Sequence, residues 1–363
     1  MKKKIKSSVV MALIVLVIYI ANLVIYPGSA ICAVYTFFNP DTTNWFTWSI
    51  PDANQVAGTA LDVSGLLDAP AGKHGYIRTN GENFEFFNGT VSKSVRFWGA
   101  NISGSGLFME NAQADILANK MAMSGMNIAR LISLDGDFAY PNIFGNDPNR
   151  TTVLNAASLN KFHYLWSKLK EKGIYLYVEL LDYRKIKSGD GATYTYSKHG
   201  ANVTNFFTGS MDLVNQYDPY LIDLQKQYAQ QLLTSVNPYT GTTIANDPAV
   251  VMIAIDNEMS LSEYGTETFN ADISFEYYRE LLKDKFNAWL RAKYGNLKAT
   301  LQAAWDQTGY VGVGANEGQN WDDAIMGLGM VEIPIDYLSA ARNYSPKRKA
   351  DTLEFLSTTE AIS

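Results

Sequence analysis

The stretch that decides the fold is VVMIAIDNE, residues 250–258, in which an uninterrupted apolar run leads into three polar residues. A helix is predicted before it. Asp218 can cap that helix, Pro219 suits its first turn, and apolar residues then recur at helical spacing. A strand that is apolar on both faces and follows a helix is typical of a parallel sheet covered by helices.

The same plan occurs twice further upstream. Residues 126–131 and 174–178 are predicted as buried strands, and each follows a helical pattern that ends at a glycine, Gly125 or Gly173. Ser158 is predicted to cap the second of these helices. The repeated alternation of helix and strand predicts an α/β fold.

A short β-hairpin is predicted ahead of these units. Residues 84–87 and 95–98 have strand-like composition, and Asn88-Gly89 between them is a strong turn signal. Both a (β/α)8 TIM barrel and an open doubly wound sheet fit the pattern. No Gly-rich phosphate loop follows any predicted strand, which disfavours a nucleotide-binding open sheet.

Composition excludes several classes of protein and site. With 363 residues and 47% hydrophobic content, the chain can form a sizeable core and is not a disordered tail. A net charge of −6 makes nucleic acid an unfavourable partner. Cys32 is the single cysteine, so no intrachain disulfide can form, and the three histidines are far apart in sequence, without the close spacing of a zinc site. We expect no metal and no cofactor.

The N-terminus has the order of a secretory signal. Four lysines between residues 2 and 6 precede an apolar run over residues 9–26, and small residues follow at 28–30. Residues 1–30 are therefore predicted to be a signal peptide, with a mature N-terminus near Ile31 or Val34. The run is long enough to cross a bilayer, so an uncleaved membrane anchor is the alternative. Either outcome predicts a secreted or cell-surface protein.

Two long segments between predicted elements are expected to be functional, because loops of this length are uncommon in compact domains. The first, residues 183–217, contains four aromatic residues: Tyr194, Tyr196, Phe206 and Phe207. The second covers residues 307–336. On a barrel, loops that follow strands lie at the active face.

Polar side chains follow the predicted strands directly. Arg130 lies in the first of them, Glu179 and Asp182 end the next, and Asn257-Glu258 ends the last. A carboxyl group there can protonate a leaving oxygen, and an amide can bind a sugar hydroxyl. Spacing alone also allows purely structural roles: a helix start for Asn257-Glu258, an ion pair for Arg130, and loop anchoring for Glu179 and Asp182.

The order of these motifs resembles clan-A retaining glycoside hydrolases, the cellulase-like superfamily. Asn257-Glu258 after an apolar strand looks like their acid/base signature, residues 95–101 resemble their first barrel strand, and residues 125–131 resemble the second, with its arginine. Residues 221–258 look like the stretch that leads to the acid/base. Residues 286–295 are similar to a helix that many members have afterwards.

The resemblance implies a role for each matched residue. Glu258 would be the general acid/base, and Asn257 would hydrogen-bond the sugar 2-hydroxyl. Arg130 would orient the nucleophilic glutamate and keep it ionised. Trp98 and Asn101 would lie near the floor of the site. The implied activity is hydrolysis of O-glycosidic bonds in a polysaccharide or oligosaccharide by a secreted β-glycosidase.

Departures from the family pattern concern the substrate and the second carboxylate. Many members have a histidine soon after the arginine, where this chain has Ile132-Ser133, and a proline after Asn-Glu, where it has Met259. The family's nucleophile ends the seventh strand, and Glu332 is the only tempting substitute here. We therefore expect about the first four βα units of an incomplete barrel, a fragment that is inactive alone.

This interpretation divides the chain into three parts: a leader at 1–30, a β-rich lead-in at 31–94 and a partial barrel at 95–363. The alternative is a non-catalytic carbohydrate-binding protein of the cell surface, in which the aromatic loops stack on sugars.

Overall fold

The computed structural model describes residues 53–87, 90, 92–138, 140–198, 201–209, 214–258, 261, 276–295, 298–314, 331, 333 and 343–362. The predicted leader, the Asn88-Gly89 turn and Glu332 lie outside these residues. Within the described ranges, no helix combines the length and the apolar composition that crossing a membrane requires.

The described strands and helices alternate over much of the chain. The helices are α1 (Ala53–Val56), α2 (Asn111–Met123), α3 (Ala156–Glu171), α4 (Pro219–Thr234), α5 (Glu276–Tyr294), α6 (Lys298–Trp305) and α7 (Pro346–Ile362). The strands are β1 (Ile77–Asn80), β2 (Asn83–Phe87), β3 (Ser92–Val95), β4 (Gly99–Ser103), β5 (Ile128–Ile132), β6 (Tyr175–Leu181), β7 (Thr193–Lys198), β8 (Ala201–Phe206) and β9 (Val250–Asp256).

A parallel sheet forms the centre of the fold. Its strand order is β4-β5-β6-β9, every neighbouring pair is parallel, and α2, α3 and α4 connect consecutive strands. The predicted α/β class is confirmed, and so is the strand at 250–255. Closure into a (β/α)8 barrel stays a prediction, because closure requires more strands than these four.

One face of this sheet packs against the helices. Leu131 and Val178 from the strands join Trp166 of α3 and Tyr228 of α4 in a hydrophobic cluster, and each of the four is almost completely buried. Each fully buried apolar side chain of this size contributes roughly 1.5–3 kcal/mol relative to exposure. This packing holds α3 and α4 against the sheet and sets the positions of the strand ends.

An antiparallel sheet, β1-β2-β3, packs near the beginning of the parallel strands. The rings of Phe86 and Phe97 both lie 5.7 Å from the ring of Tyr175, the first residue of β6. This sheet therefore covers the amino ends of the parallel strands and leaves their carboxyl ends for other contacts.

The first parallel strand begins later than the resemblance implied. Val95 is the last residue of β3 and pairs with Phe84, so residues 95–98 do not belong to β4. Gly99 is the first residue of β4. A Cβ there would lie 1.7 Å from the carbonyl oxygen of Ile128, so the close approach of the two backbones leaves room only for glycine.

The long segment after β6 is largely a packed hairpin rather than an exposed loop. β7 and β8 pair over their whole length, and Tyr194 and Phe207 are buried in a second hydrophobic cluster with α5, α6 and α7. The ring of Tyr194 stacks on Tyr277 of α5 at 4.2 Å. The expectation that these aromatics form a sugar platform is therefore wrong for Tyr194 and Phe207. Phe206 is exposed.

The helix boundaries follow local rules, with one correction. Asp218 caps α4 as predicted, since its Oδ1 accepts from the backbone N–H groups of Tyr220 and Leu221 at 2.7 and 3.0 Å. For α3 the cap is Asn155 instead of Ser158, and the N–H of Ser158 donates to Asn155 Oδ1 at 3.0 Å. Ser158 lies in the first turn, where its own backbone N–H needs such an acceptor.

Candidate active site

Polar residues gather at the carboxyl ends of β5, β6 and β9. Five of them make contact across the strands and are called here the strand-end network: Arg130, Ser133, Glu179, Asp182 and Asn257. In sheets of parallel strands covered by helices, ligands bind at this end, because the loops that follow the strands meet there.

Arg130 joins two strands of the network. Its guanidinium Nη2 donates to Glu179 Oε2 at 2.5 Å and to Asn257 Oδ1 at 2.9 Å. The strand register places Arg130 opposite Tyr177, so Glu179, two residues further along β6, points to the same face. The Arg130 guanidinium also lies 5.3 Å from the centre of the Tyr177 ring.

The amide of Asn257 is held in one orientation. Its Oδ1 faces the Arg130 cation, and its Nδ2 donates to Asp182 Oδ1 at 3.1 Å. Turning the amide over would place the oxygen against a carboxylate and the nitrogen against a cation, so the network selects this orientation. Nδ2 has a second hydrogen, which no described residue accepts and which a ligand hydroxyl can accept.

Asp182 is the buried anchor of that orientation. The Ser133 hydroxyl donates to its Oδ2, and its own backbone N–H donates to Asp135 Oδ1 at 3.1 Å. Burial raises the pKa of Asp182, while the hydrogen bonds from Ser133 and Asn257 act in the opposite direction. Ser133 belongs to Ile132-Ser133, the pair found where many members of the resembled family have histidine.

Glu179 is Arg130's acidic partner. It lies within β6 and its side chain is completely buried, whereas the Arg130 side chain is about one-third exposed. Burial raises the pKa of Glu179, and the hydrogen bond and charge of Arg130 oppose that shift. The resemblance implied that Arg130 would face a nucleophilic glutamate. Glu179 is not open to substrate, so its contact with Arg130 is an internal ion pair.

Glu258 lies at the edge of the network, directly after Asn257. Its side chain is exposed, and its backbone has the left-handed φ of 53°. Ser133, directly after β5, also has a positive φ, of 60°. Left-handed backbone is unfavourable for residues other than glycine and is concentrated at functional sites. Both residues lie at the same end of the sheet, where Glu258 is exposed to solvent.

Two further predicted site residues lie on β4 or just before it. Asn101 is opposite Arg130 in the register, so it shares the face of the sheet on which Arg130 and Glu179 lie. Trp98 precedes β4, and its carbonyl accepts from the backbone N–H of Asn127 at 2.9 Å, at the amino end of the sheet. The structure thus brings Asn101 toward the network and does not bring Trp98 to the end where Glu258 lies.

Several residues of this site were not predicted. Asp135 and Ser133 had no signal beyond following an apolar strand, and Glu179 and Asp182 were expected mainly to anchor loops. Their contacts join residues 47 to 49 positions apart in the chain, so spacing could not indicate them. Within the described residues, no group of three or more acidic, histidine or cysteine side chains is arranged to hold a metal ion.

Asp135 is expected to make the stability of the chain depend on pH. Burial raises its pKa to about 7, although the N–H groups of Asp182 and Tyr183 oppose the shift. The folded state therefore holds this proton more tightly than the unfolded state, so stability present below about pH 4 is lost as the pH rises toward 7. In Asp135→Asn the free energy of unfolding should fall by about 3 to 4 kcal/mol less between pH 4 and pH 7 than in the unsubstituted chain, because each unit of pKa difference is worth about 1.4 kcal/mol.

The measurement is urea unfolding of the 363-residue chain at pH 4, 5, 6 and 7. Asp223→Asn is the control, since Asp223 is an exposed aspartate on α4. Parallel curves for the unsubstituted chain and Asp135→Asn would show that Asp135 is not the titrating group.

The sequence matches no family model, and a search of curated proteins finds no relative. Solved structures with similarity to the chain include an endo-1,4-beta-mannanase from Rhizomucor miehei, at 14% identity and a TM-score of 0.36, covering 73% of this chain and 69% of that one. A Glycoside Hydrolase Family 5 mannosidase from the same organism has 14% identity and a TM-score of 0.37, with 57% and 58% covered.

An endo-beta-1,4-mannanase from Thermotoga petrophila has 18% identity and a TM-score of 0.33. That match covers 55% of this chain and 41% of the mannanase, so the chain spans less than half of its length. All three TM-scores are below 0.5, so these structural similarities carry no argument about the function of this chain.

Proposed function

We propose that the chain provides the acid/base side of the active site of an exported retaining β-glycosidase that cleaves a polysaccharide or oligosaccharide. The observation that supports this most directly is the orientation of Asn257 by Arg130 and Asp182, beside the exposed carboxyl group of Glu258. The proposal takes the role of each matched residue from the family resemblance, and export from the order of residues 1–30. Export is tested directly by N-terminal sequencing of the exported protein, which should find a mature N-terminus near Ile31 or Val34.

Glu258 acts twice in the proposed reaction. A nucleophilic carboxylate attacks the anomeric carbon, the bond to the leaving oxygen breaks, and Glu258 gives its proton to that oxygen. Glu258 then takes a proton from water as the water oxygen attacks the same carbon and releases the nucleophile. Asn257 donates its second Nδ2 hydrogen to the sugar 2-hydroxyl throughout, which positions the ring.

The nucleophile is proposed to come from outside the described residues. A retaining mechanism needs two carboxyl groups about 5 to 5.5 Å apart on either side of the bond that breaks. Glu179 and Asp182 are the described carboxylates bound into the network, and both are buried. Glu179 is bound by Arg130, and Asp182 by Ser133 and Asn257, so neither is open to attack a sugar.

The test compares the purified 363-residue chain with the complete gene product on β-1,4-linked mannan, glucan and xylan, with released reducing ends as the measurement. We expect hydrolysis by the complete product with retention of anomeric configuration. We expect no hydrolysis by the 363-residue chain, because the resembled family's nucleophile ends a seventh strand and this chain is proposed to hold about the first four βα units. If the 363-residue chain hydrolyses a substrate and Glu258→Ala abolishes that activity, then the nucleophile lies within residues 1–363. If no preparation hydrolyses any glycan, the glycosidase proposal is wrong.

A further inference from the structure

Two exposed aromatic rings lie beside the strand-end network. Phe138 is 62% exposed and Tyr183 is 42% exposed, and their ring centres are 5.3 Å apart in an edge-to-face arrangement. Phe138 lies in the segment after β5, and Tyr183 immediately follows Asp182 after β6. The pair therefore presents apolar surface at the carboxyl ends of these two strands, where the packing of the fold does not bury it.

Backbone contacts fix the position of the pair. The N–H of Asp137 donates to the carbonyl of Tyr183 at 3.1 Å, which joins the two segments. A Cβ on Gly136 would lie 2.8 Å from the Phe138 ring, so the ring packs over a position without a side chain. Binding to rings that are already positioned costs less ordering entropy than binding to mobile side chains.

The pair is adjacent to the proposed catalytic residues. Asp182 precedes Tyr183, their Cα atoms are about 3.8 Å apart as in any trans peptide, and Asp182 accepts the hydrogen bond from Asn257 Nδ2. A sugar whose 2-hydroxyl binds Asn257 therefore lies next to the segment that presents Tyr183.

The surroundings of the pair match the chemistry of a pyranose ring, which has an apolar face of C–H groups and a rim of hydroxyl groups. The aromatic rings offer an apolar surface for the face. Polar groups lie around it: the Tyr140 hydroxyl donates to Asp137 at 2.6 Å, and the ammonium of Lys185 lies 3.7 Å from the same carboxylate. These groups can bind hydroxyls at the edge of a stacked ring.

We propose that Phe138 and Tyr183 form a sugar-binding subsite for the pyranose unit next to the one that Asn257 contacts. The subsite rests on the proposed glycosidase function and makes it more specific. The chain should bind glycans of several units more tightly than single sugars, because a second ring is then held by the aromatic pair.

The experiment measures binding of mannohexaose, cellohexaose and xylohexaose, and of the corresponding monosaccharides, to the 363-residue chain by isothermal titration calorimetry. Glu258→Gln is present in all variants, which keeps the glycans intact even if the 363-residue chain proves to be active. Phe138→Ala and Tyr183→Ala should each weaken binding of the preferred hexasaccharide about tenfold, the effect of truncating one well-placed aromatic contact. Tyr183→Phe and Phe138→Tyr should retain the affinity, since each keeps its ring.

Tyr239→Ala is the matched control. Tyr239 is 45% exposed, and its ring lies edge to face with Tyr164 at 5.2 Å, but it belongs to the turn before β9, at the other end of that strand. If Phe138→Ala and Tyr183→Ala leave hexasaccharide binding unchanged, while the separate hydrolysis test shows activity that depends on Glu258, the subsite alone is rejected. If no glycan binds to any variant, both the subsite and the proposed function are contradicted.

Discussion

In the proposed glycosidase, Glu258→Gln is expected to slow hydrolysis of unactivated β-linked polysaccharide by about 10²- to 10⁴-fold, the usual contribution of general acid catalysis. Glutamine keeps the size and hydrogen bonding of the side chain but has no proton to give to the leaving oxygen. Since Glu258 is exposed and makes no described contact that holds the fold together, the stability of the chain should change little.

The choice of substrate makes this expectation specific. Aryl glycosides with activated leaving groups need little protonation, so their glycosylation step should slow far less than that of the polysaccharide. The measurement is kcat/KM on both substrates, because this ratio reports the first step. The matched control is Glu171→Gln, an exposed glutamate at the end of α3. Equal losses on polysaccharide and aryl glycoside would remove Glu258 from the role of proton donor.

Arg130→Met is expected to lower the free energy of unfolding by about 3 kcal/mol, the lower end for removing one partner of a buried ion pair. The lower end applies because the Arg130 side chain is partly exposed while that of Glu179 is fully buried. Methionine keeps much of the side-chain volume, so the loss reports the charge and the hydrogen bonds. After the substitution the Glu179 carboxylate is still buried, but the strand-end network no longer places a cation beside it.

The loss of stability in Arg130→Met should also depend on pH. Burial raises the pKa of Glu179, and removing Arg130 removes a group that opposes this shift. When the pKa of a carboxyl group is higher in the folded state than in the unfolded state, the folded state binds the proton more tightly. The resulting stabilisation is fully present below the unfolded-state pKa and is lost as the pH rises through the folded-state pKa. Arg130→Met should therefore be more unstable at pH 8 than at pH 5, relative to the unsubstituted chain.

Glu179→Gln provides the control for this experiment. In the Arg130→Met/Glu179→Gln chain no carboxylate is left unpaired, so most of the added pH dependence should disappear. Urea unfolding of the two single variants, the double variant and the unsubstituted chain gives the coupling energy of the pair. If the unfolding free energy of Arg130→Met at pH 8 lies within about 0.5 kcal/mol of that of the unsubstituted chain, a typical surface-substitution effect, the pair contributes little to stability.

Local sequence was sufficient for the order of elements and for the residues nearest to the proposed chemistry. The apolar run at 250–255 is a strand, Asp218 caps α4, and Gly125 and Gly173 have the left-handed backbone expected just after a helix. Asn257 and Glu258 could be selected because they follow an apolar strand directly. Each of these features depends on residues close together in the chain, so periodicity and capping rules apply to them.

Only the tertiary structure decided which partners these residues have. Arg130 contacts Glu179, 49 residues away, and Asn257, 127 residues away, and both contacts depend on the register of neighbouring parallel strands. The position of Trp98 at the amino end of β4 follows from where that strand begins. The burial of Tyr194 follows from its packing against α5. Strand register and helix packing result from contacts between distant segments, whereas the local pattern reports only what each segment does by itself.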